Sequence, residues 1–391
     1  MNEISNQETQ DIIEQPNLVN PSEHNYGIDL LRIVSMYFVC VLHVLGYGGV
    51  LESASYLSVH YYAAWFLEIS AYCAVNCFGL ISGFVGISSK YKISRILYLW
   101  LHVFFYSFVV TIIFYLVKPS TVSAFWQAFF PVTFNAWWYF TAYFCLFLFS
   151  PILKYAIQNI PKTIMNWSIL ILVVIVSIFS RLNENLFTLS SGYAALWLML
   201  LYLMGGYVKH YQPFTKIKNH WIIVIWVSAI LLTWLLKLSI ELISHSLKKD
   251  KSGDYLISYL SPTIIIVSIS MLEIFSRLSF QKLVKIIEIM SSVSFAVYII
   301  HSHPLIWKEI FPILFPYCSY AKYHPILLIL AVIGTALTIY IGCSIIDYLR
   351  LLLFNLLKVK QLLEKLETKL RGNPNNNNNN DDNEEETIKE I

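Results

Sequence analysis

Charge is what this sequence has least of. Asp, Glu, Lys and Arg make up 13% of its 391 residues, where a soluble protein carries about 25%. So few charged side chains cannot cover the surface of a soluble fold of this size. The formal net charge of +3 supplies no basic stripe for a phosphate backbone, so no nucleic-acid partner is expected. Cysteine is also sparse: Cys40, Cys73, Cys77, Cys145, Cys318 and Cys343. Five of the six lie in long apolar segments, where a thiol packs as a small apolar side chain. Cys73 and Cys77 have C-x3-C spacing with no matching His or Cys pair nearby, so neither a disulfide framework nor a zinc site is expected. There is no H-E-x-x-H motif and no G-x-x-x-x-G-K-[ST] loop, and no bound metal or resident cofactor is predicted. No Lys or Arg precedes Arg32. Residues 1–25 therefore lack the positive start of a cleavable signal peptide and read as a disordered, acidic, cytosolic arm.

What the chain does have is apolar length. It is 57% hydrophobic, and 16% of its residues are Phe, Trp or Tyr. Apolar segments recur at about 27–47, 60–87, 95–117, 134–153, 164–181, 190–209, 221–244, 255–275, 286–307 and 325–355. Each approaches the roughly 20 residues a helix needs to cross the hydrocarbon. None alternates apolar with polar as the strands of a membrane barrel do. The predicted fold is all-α, a polytopic bundle of about ten transmembrane helices over residues 26–355, set as a multi-pass protein in the cell membrane and contacting its lipid. Lys and Arg fix the orientation. Lys90, Lys92, Arg95, Lys154, Lys162, Lys209, Lys216, Lys218, Arg277, Lys282 and Lys285 fall on one side, joined by Arg350 and the basic residues after it. Only Lys118, Arg181, Lys248, Lys249, Lys251, Lys308 and Lys322 fall on the other, so both termini are expected in the cytosol. Residues 356–371 read as a basic amphipathic helix, either lying on anionic lipid or extending into solvent. Residues 372–391 form an Asn-rich acidic tail with too little apolar surface to fold. No appended soluble catalytic domain is predicted, so chemistry is expected within or beside the membrane.

The stretch "GIDLLRIVSMYFVCVLHV", Gly27 to Val44, puts Asp29, Arg32 and His43 in an otherwise apolar helix. At about 100° per residue, the three fall in a stripe roughly 60° wide. Ionisable groups inside a membrane are costly and commonly functional. Asp29 and Arg32 are spaced i, i+3 for a pair near one surface, and His43 lies about 16 Å deeper along the axis. Two readings stand at this point. Arg32 snorkels to the interface and His43 is a hydrogen-bonded structural group, or the imidazole is a general base.

Four further stretches accompany the Arg32-x10-His43 pair. They are "NCFGLISGFVGI" (76–87), "KYKISRIL" (90–97), "WWYFTAYFCLFLFSPIL" (137–153) and "SFAVYIIHSHPLIW" (294–307). Together, in this order, they resemble the acyltransferase-3 family, integral-membrane O-acyltransferases that modify cell-surface glycans. The closest resemblance is to the polysaccharide acetyltransferase type without an extra extracytoplasmic domain, and it covers about residues 26–350. One departure stands out: the family carries Arg-x-x-Arg where this chain has Lys92-x-x-Arg95.

The resemblance implies transfer of an acetyl or other short acyl group from acyl-CoA, a co-substrate rather than a bound cofactor, to a hydroxyl of a surface polysaccharide or its lipid-linked precursor. His43, Arg32 and Asp29 are the implied catalytic residues, and Arg32, Lys92 and Arg95 the donor-binding ones. Trp138, Tyr139, Tyr298 and His301 are implied for the acceptor. Each has a plainer reading: positive-inside charges for Lys92 and Arg95, an interfacial aromatic belt for Trp138 and Tyr139, and a structural hydrogen bond for Tyr298 and His301. Gly79, Ser82, Gly83 and Gly86 fit close helix packing. Lys237 and Glu241 fit an i, i+4 ion pair near the outer interface. His60, His102 and His303 read as structural or interfacial. The rival function is a glycan-precursor transporter or flippase, which would also bury polar groups but commonly carries internal repeats; none is evident. A membrane scaffold or sensor leaves the Arg32–His43 register unexplained.

Overall fold

A computed structural model of the chain describes residues 24–117, 124–180, 183, 186–249 and 252–371. The expected tail at 372–391, all of the expected arm except His24 and Asn25, and Lys118, Arg181 and Lys251 lie outside these residues. Among the described residues there are helices and no strand. The long helices are α1 (Tyr26–Leu45), α2 (Val59–Ala71), α3 (Ala74–Gly86), α4 (Ile93–Val117), α5 (Trp138–Asn159) and α6 (Lys162–Phe179). They continue as α7 (Ala195–Tyr211), α8 (Asn219–Ser246), α9 (Pro262–Ser276), α10 (Val284–His301), α11 (Pro325–Leu356) and α12 (Val359–Leu370).

Every apolar segment contains helix, and among the described residues eight helices are long and apolar enough to cross a bilayer, with α2 and α3 counted as one span. The number becomes nine if α7 is joined to the short turns at Leu186–Gly192, which meet it at 80°. The expected polytopic bundle of about ten spans is thus met by eight or nine such helices among the described residues. The segment at 255–275 spends its first residues on a 3-10 turn and extended backbone, leaving α9 with 15 residues. At 1.5 Å per residue that is about 22 Å, short of a hydrocarbon core of about 30 Å. Hydropathy counts apolar residues and does not see where the backbone stops being helical. The outer helices carry their apolar side chains outward: only 17% of the α6 span and 22% of the α8 span is buried inside the bundle. Such faces suit lipid, where each backbone polar group must be satisfied within its own helix.

α1 is the central helix. It packs against α2, α3, α9, α10 and α11. Its start is fixed by Asn25, whose Oδ1 accepts from Ile28 N at 3.1 Å while its Nδ2 donates to Ser276 O at 2.8 Å. The tightest helix pair is α3 with α7, and glycine is the reason. A Cβ on Gly83 would collide with the Tyr202 carbonyl, and one on Gly205 with the Leu80 carbonyl. Gly83→Leu should therefore push the two helices apart at a cost of about 1–3 kcal/mol or more. A lowered melting temperature in detergent would register it. Gly342→Leu is the control, because nothing lies within 4 Å of a Cβ there; equal melting temperatures for the two variants would contradict this packing.

Two charged clusters hold helices together away from the central helix. Lys237 and Glu241 do pair, at 2.5 Å, and both are fully buried. Lys237 also pairs with Asp254, accompanies the Tyr61 hydroxyl at 3.2 Å and lies 3.8 Å above the Trp65 ring. The second cluster corrects the charge count: Arg350 is a buried partner of Asp347 inside α11, not a loop charge. Asp347 also meets His102 Nε2 at 3.0 Å and accepts from the Tyr106 hydroxyl at 2.8 Å, tying α11 to α4.

α12 lies against the start of α4. Glu367 accepts from the backbone N–H groups of Ile93 and Ser94, both at 3.0 Å, capping a helix from outside. Hydrogen bonding from Ser94 holds the Glu367 carboxyl at about 2. The helix thus meets the bundle through its acidic residues rather than through its lysines. The two ends of the described chain lie on the same face of the bundle as Arg32 and Arg95, called here the basic face.

Candidate active site

Two cavities lie end to end inside the bundle. The first, about 370 Å³, opens at the basic face; Arg32, Lys90, Arg95 and Lys154 line it, with Ser82, Tyr143, Ser291 and Ser294. The second, about 200 Å³, lies toward the opposite face; His43, Tyr47, Glu68, Tyr72, Trp138, Tyr193, Tyr259 and Tyr298 line it. Phe78, Tyr139 and Phe295 line both, so three aromatic side chains form the partition between them. A third cavity continues from His43 past Trp137, Trp138, Tyr298 and Trp307.

α1 runs beside both chambers and delivers one group to each. Arg32 reaches the basic cavity near its start. Asp29 does not line either cavity; it is buried, pairs with Arg32 and accepts from Ser291 Oγ at 3.1 Å. It holds the guanidinium and stands apart from the lining of the second chamber. The expected trio of His43, Arg32 and Asp29 shares a helix face but not a site, because eleven residues of helix separate Arg32 from His43.

His43 lines the second cavity and is held by His301 from α10. His301 Nδ1 bonds the Val297 carbonyl, which can only accept, so Nδ1 carries the proton. Nε2 of a neutral His301 is then a lone pair, and His43 Nδ1–H donates to it at 2.8 Å. These bonds assign the tautomer. Nε2 of His43 is left as the basic nitrogen, with no partner among the described residues, on a ring that faces the cavity. This is the base-and-orienter arrangement that general-base catalysis needs.

The other expected site residues divide. Trp138, Tyr139 and Tyr298 line the His43 chamber. Arg95 lines the basic cavity, as does Lys90. Lys92 does not: its ammonium is turned to Glu364 of α12 at 3.5 Å, so the departure from Arg-x-x-Arg falls on a residue occupied elsewhere. Lys90 and Lys154 were missed, since nothing in the local sequence says which lysine turns inward. Glu68 and the Asp347–Arg350 pair were legible in principle. Each is an acid or ion pair inside an apolar span, the same signal that singled out Asp29 and Arg32. Tyr72, Tyr193 and Tyr259 come from three separate elements and carry no such signal.

No curated protein and no solved structure matches the chain. One family profile, described as an acyltransferase domain, matches residues 25–347, which takes in both cavities, His43 and His301. The chain is a membrane acyltransferase of the acyltransferase-3 family.

Proposed function

We propose that the protein transfers an acetyl or other short acyl group from acyl-CoA to a hydroxyl of a cell-surface polysaccharide or its lipid-linked precursor, in the cell membrane. The observation that carries this reading is the pair of chambers of opposite character sharing one aromatic partition. A CoA donor is a polyanion on a long, thin arm. Arg32, Lys90, Arg95 and Lys154 supply cations for its phosphates at the basic face. The arm would lie along the cavity and bring the thioester past Phe78, Tyr139 and Phe295 toward His43.

There the acceptor hydroxyl gives its proton to His43 Nε2 as its oxygen attacks the thioester carbonyl. The tetrahedral intermediate collapses, the C–S bond breaks, and the thiolate of CoA takes the proton back from the imidazolium. The products are the ester and free CoA, and His43 is regenerated. His301 holds the imidazolium through the Nδ1–H bond. The step leaves no new charge in the chamber at the end, which suits an aromatic enclosure.

The donor half of the reading is tested with Arg95→Ala. Its expected effect is a rise of about tenfold in the KM for acetyl-CoA, with the acceptor KM unchanged, since a charge-assisted hydrogen bond contributes about 1.5–3 kcal/mol. Lys92→Ala should leave the donor KM within about twofold, because Lys92 is engaged with Glu364. The reverse order of effects would remove the basic cavity as the donor site.

A further inference from the structure

Glu68 stands in α2 within "AAWFLEISA", an acid in the middle of an apolar helix. It is 8% exposed, and one of its carboxylate oxygens, Oε2, is buried with no hydrogen-bond partner among the described residues. It lines the same chamber as His43. The nearest cluster with a cation does not answer it, because Lys237 is taken by Glu241 and Asp254. A buried carboxyl oxygen left without a hydrogen-bond partner costs a fold free energy. A fold that keeps one facing a cavity leaves an acceptor of hydrogen bonds waiting for donors from outside the chain.

The chamber wall around it is aromatic and continuous. Tyr72 lies 4.8 Å from Tyr259, Tyr259 lies 5.0 Å from Tyr193, and Tyr193 lies 4.7 Å from Trp138, ring centre to ring centre. Ring faces take up the C–H surface of a sugar, and a carboxyl group can hydrogen-bond two adjacent hydroxyls at once. A cationic guest would suit the acid alone, but His43 would then face a group with no hydroxyl to activate.

We infer that Glu68, with the Tyr72–Tyr259–Tyr193–Trp138 wall, is the acceptor subsite, and that it binds a sugar ring through a vicinal diol while a neighbouring hydroxyl faces His43. This rests on the acyl-transfer reading above. Glu68 is thereby a binding and specificity residue rather than the base.

The test uses the full-length protein in detergent, [14C]acetyl-CoA and the cell's own surface polysaccharide, stripped of esters by mild alkali. Glu68→Gln is expected to raise the acceptor KM by about tenfold or more, because an amide can never present two oxygens to the diol, while the acetyl-CoA KM stays constant. Glu68→Leu should raise it further. Without acceptor, Glu68→Leu should melt at the wild-type temperature or above, since removing an unpaired buried acid relieves strain on the empty protein. An acceptor KM within twofold of wild type in Glu68→Gln overturns the subsite. So does a lower melting temperature in both variants with both KM values raised, the signature of a structural acid. Absence of transfer by the wild-type protein is a different failure: it removes the glycan acceptor itself, and the subsite with it.

Discussion

His43→Asn is expected to cut ester formation by at least about 10²-fold, the usual contribution of a positioned general base, while the protein reaches the membrane and surface polysaccharide is exported in normal amounts. Asparagine keeps polarity at the end of α1 and can still donate to His301 Nε2, so the α1–α10 contact survives the change. What it lacks is a nitrogen that takes a proton near neutral pH. His43→Ala should behave alike. The measurement is acetate released by mild alkali from surface polysaccharide, set beside total polysaccharide. A glycan transporter gives the reverse pattern, with less polysaccharide outside and an unchanged ester content per sugar. Ester levels near wild type in a well-expressed His43→Asn protein would end the assignment of His43 as base.

The second large effect is expected at His301. His301→Leu should lower turnover on the order of 10²-fold, because His43 Nδ1–H loses its acceptor and the ring no longer has one preferred tautomer or orientation. His301→Gln should recover most of that loss, to within about tenfold of wild type, since the amide oxygen can accept the same bond. The rescue is the informative readout: a residue that merely filled space would be replaced as well by Leu as by Gln. His301 is a positioning residue on this account, fully buried behind His43 and held in place by the Val297 carbonyl. Wild-type turnover in His301→Leu would return it to packing, and equal losses in both variants would deny that the hydrogen bond is what matters.

The two histidines also mark how far local pattern reaches. Asp29, Arg32 and His43 stand out because they interrupt an apolar run, and their shared face follows from 100° per residue alone. That Asp29 pairs with Arg32 at i, i+3 is local as well. But His43 and His301 are 258 residues apart in sequence, and neither helix encodes the other's register. Lys92 carries the opposite lesson. It occupies a motif position, and α12, folded back from the far end of the chain, turns it away from the cavity. Glu364 holds Lys92, and Glu367 caps α4 beside it, from a segment whose sequence reads either as a lipid-surface helix or as a solvated extension.

Composition and hydropathy were enough for the all-helical membrane bundle, because burial in lipid acts on each span separately and leaves the helix as the form that satisfies its own backbone. They also located one residue of each chamber, since a charge or imidazole in an apolar helix is costly wherever the helix goes. The number of full spans, the inward turn of Lys90 and Lys154, the partition at Phe78, Tyr139 and Phe295, and the unpaired acid at Glu68 came from packing between distant segments. Those features depend on which helix faces lie against one another, and here glycines on α3 and α7 and buried ion pairs on α8 and α11 set that arrangement. Contacts of that kind are a property of the whole chain at once, and no window of sequence contains them.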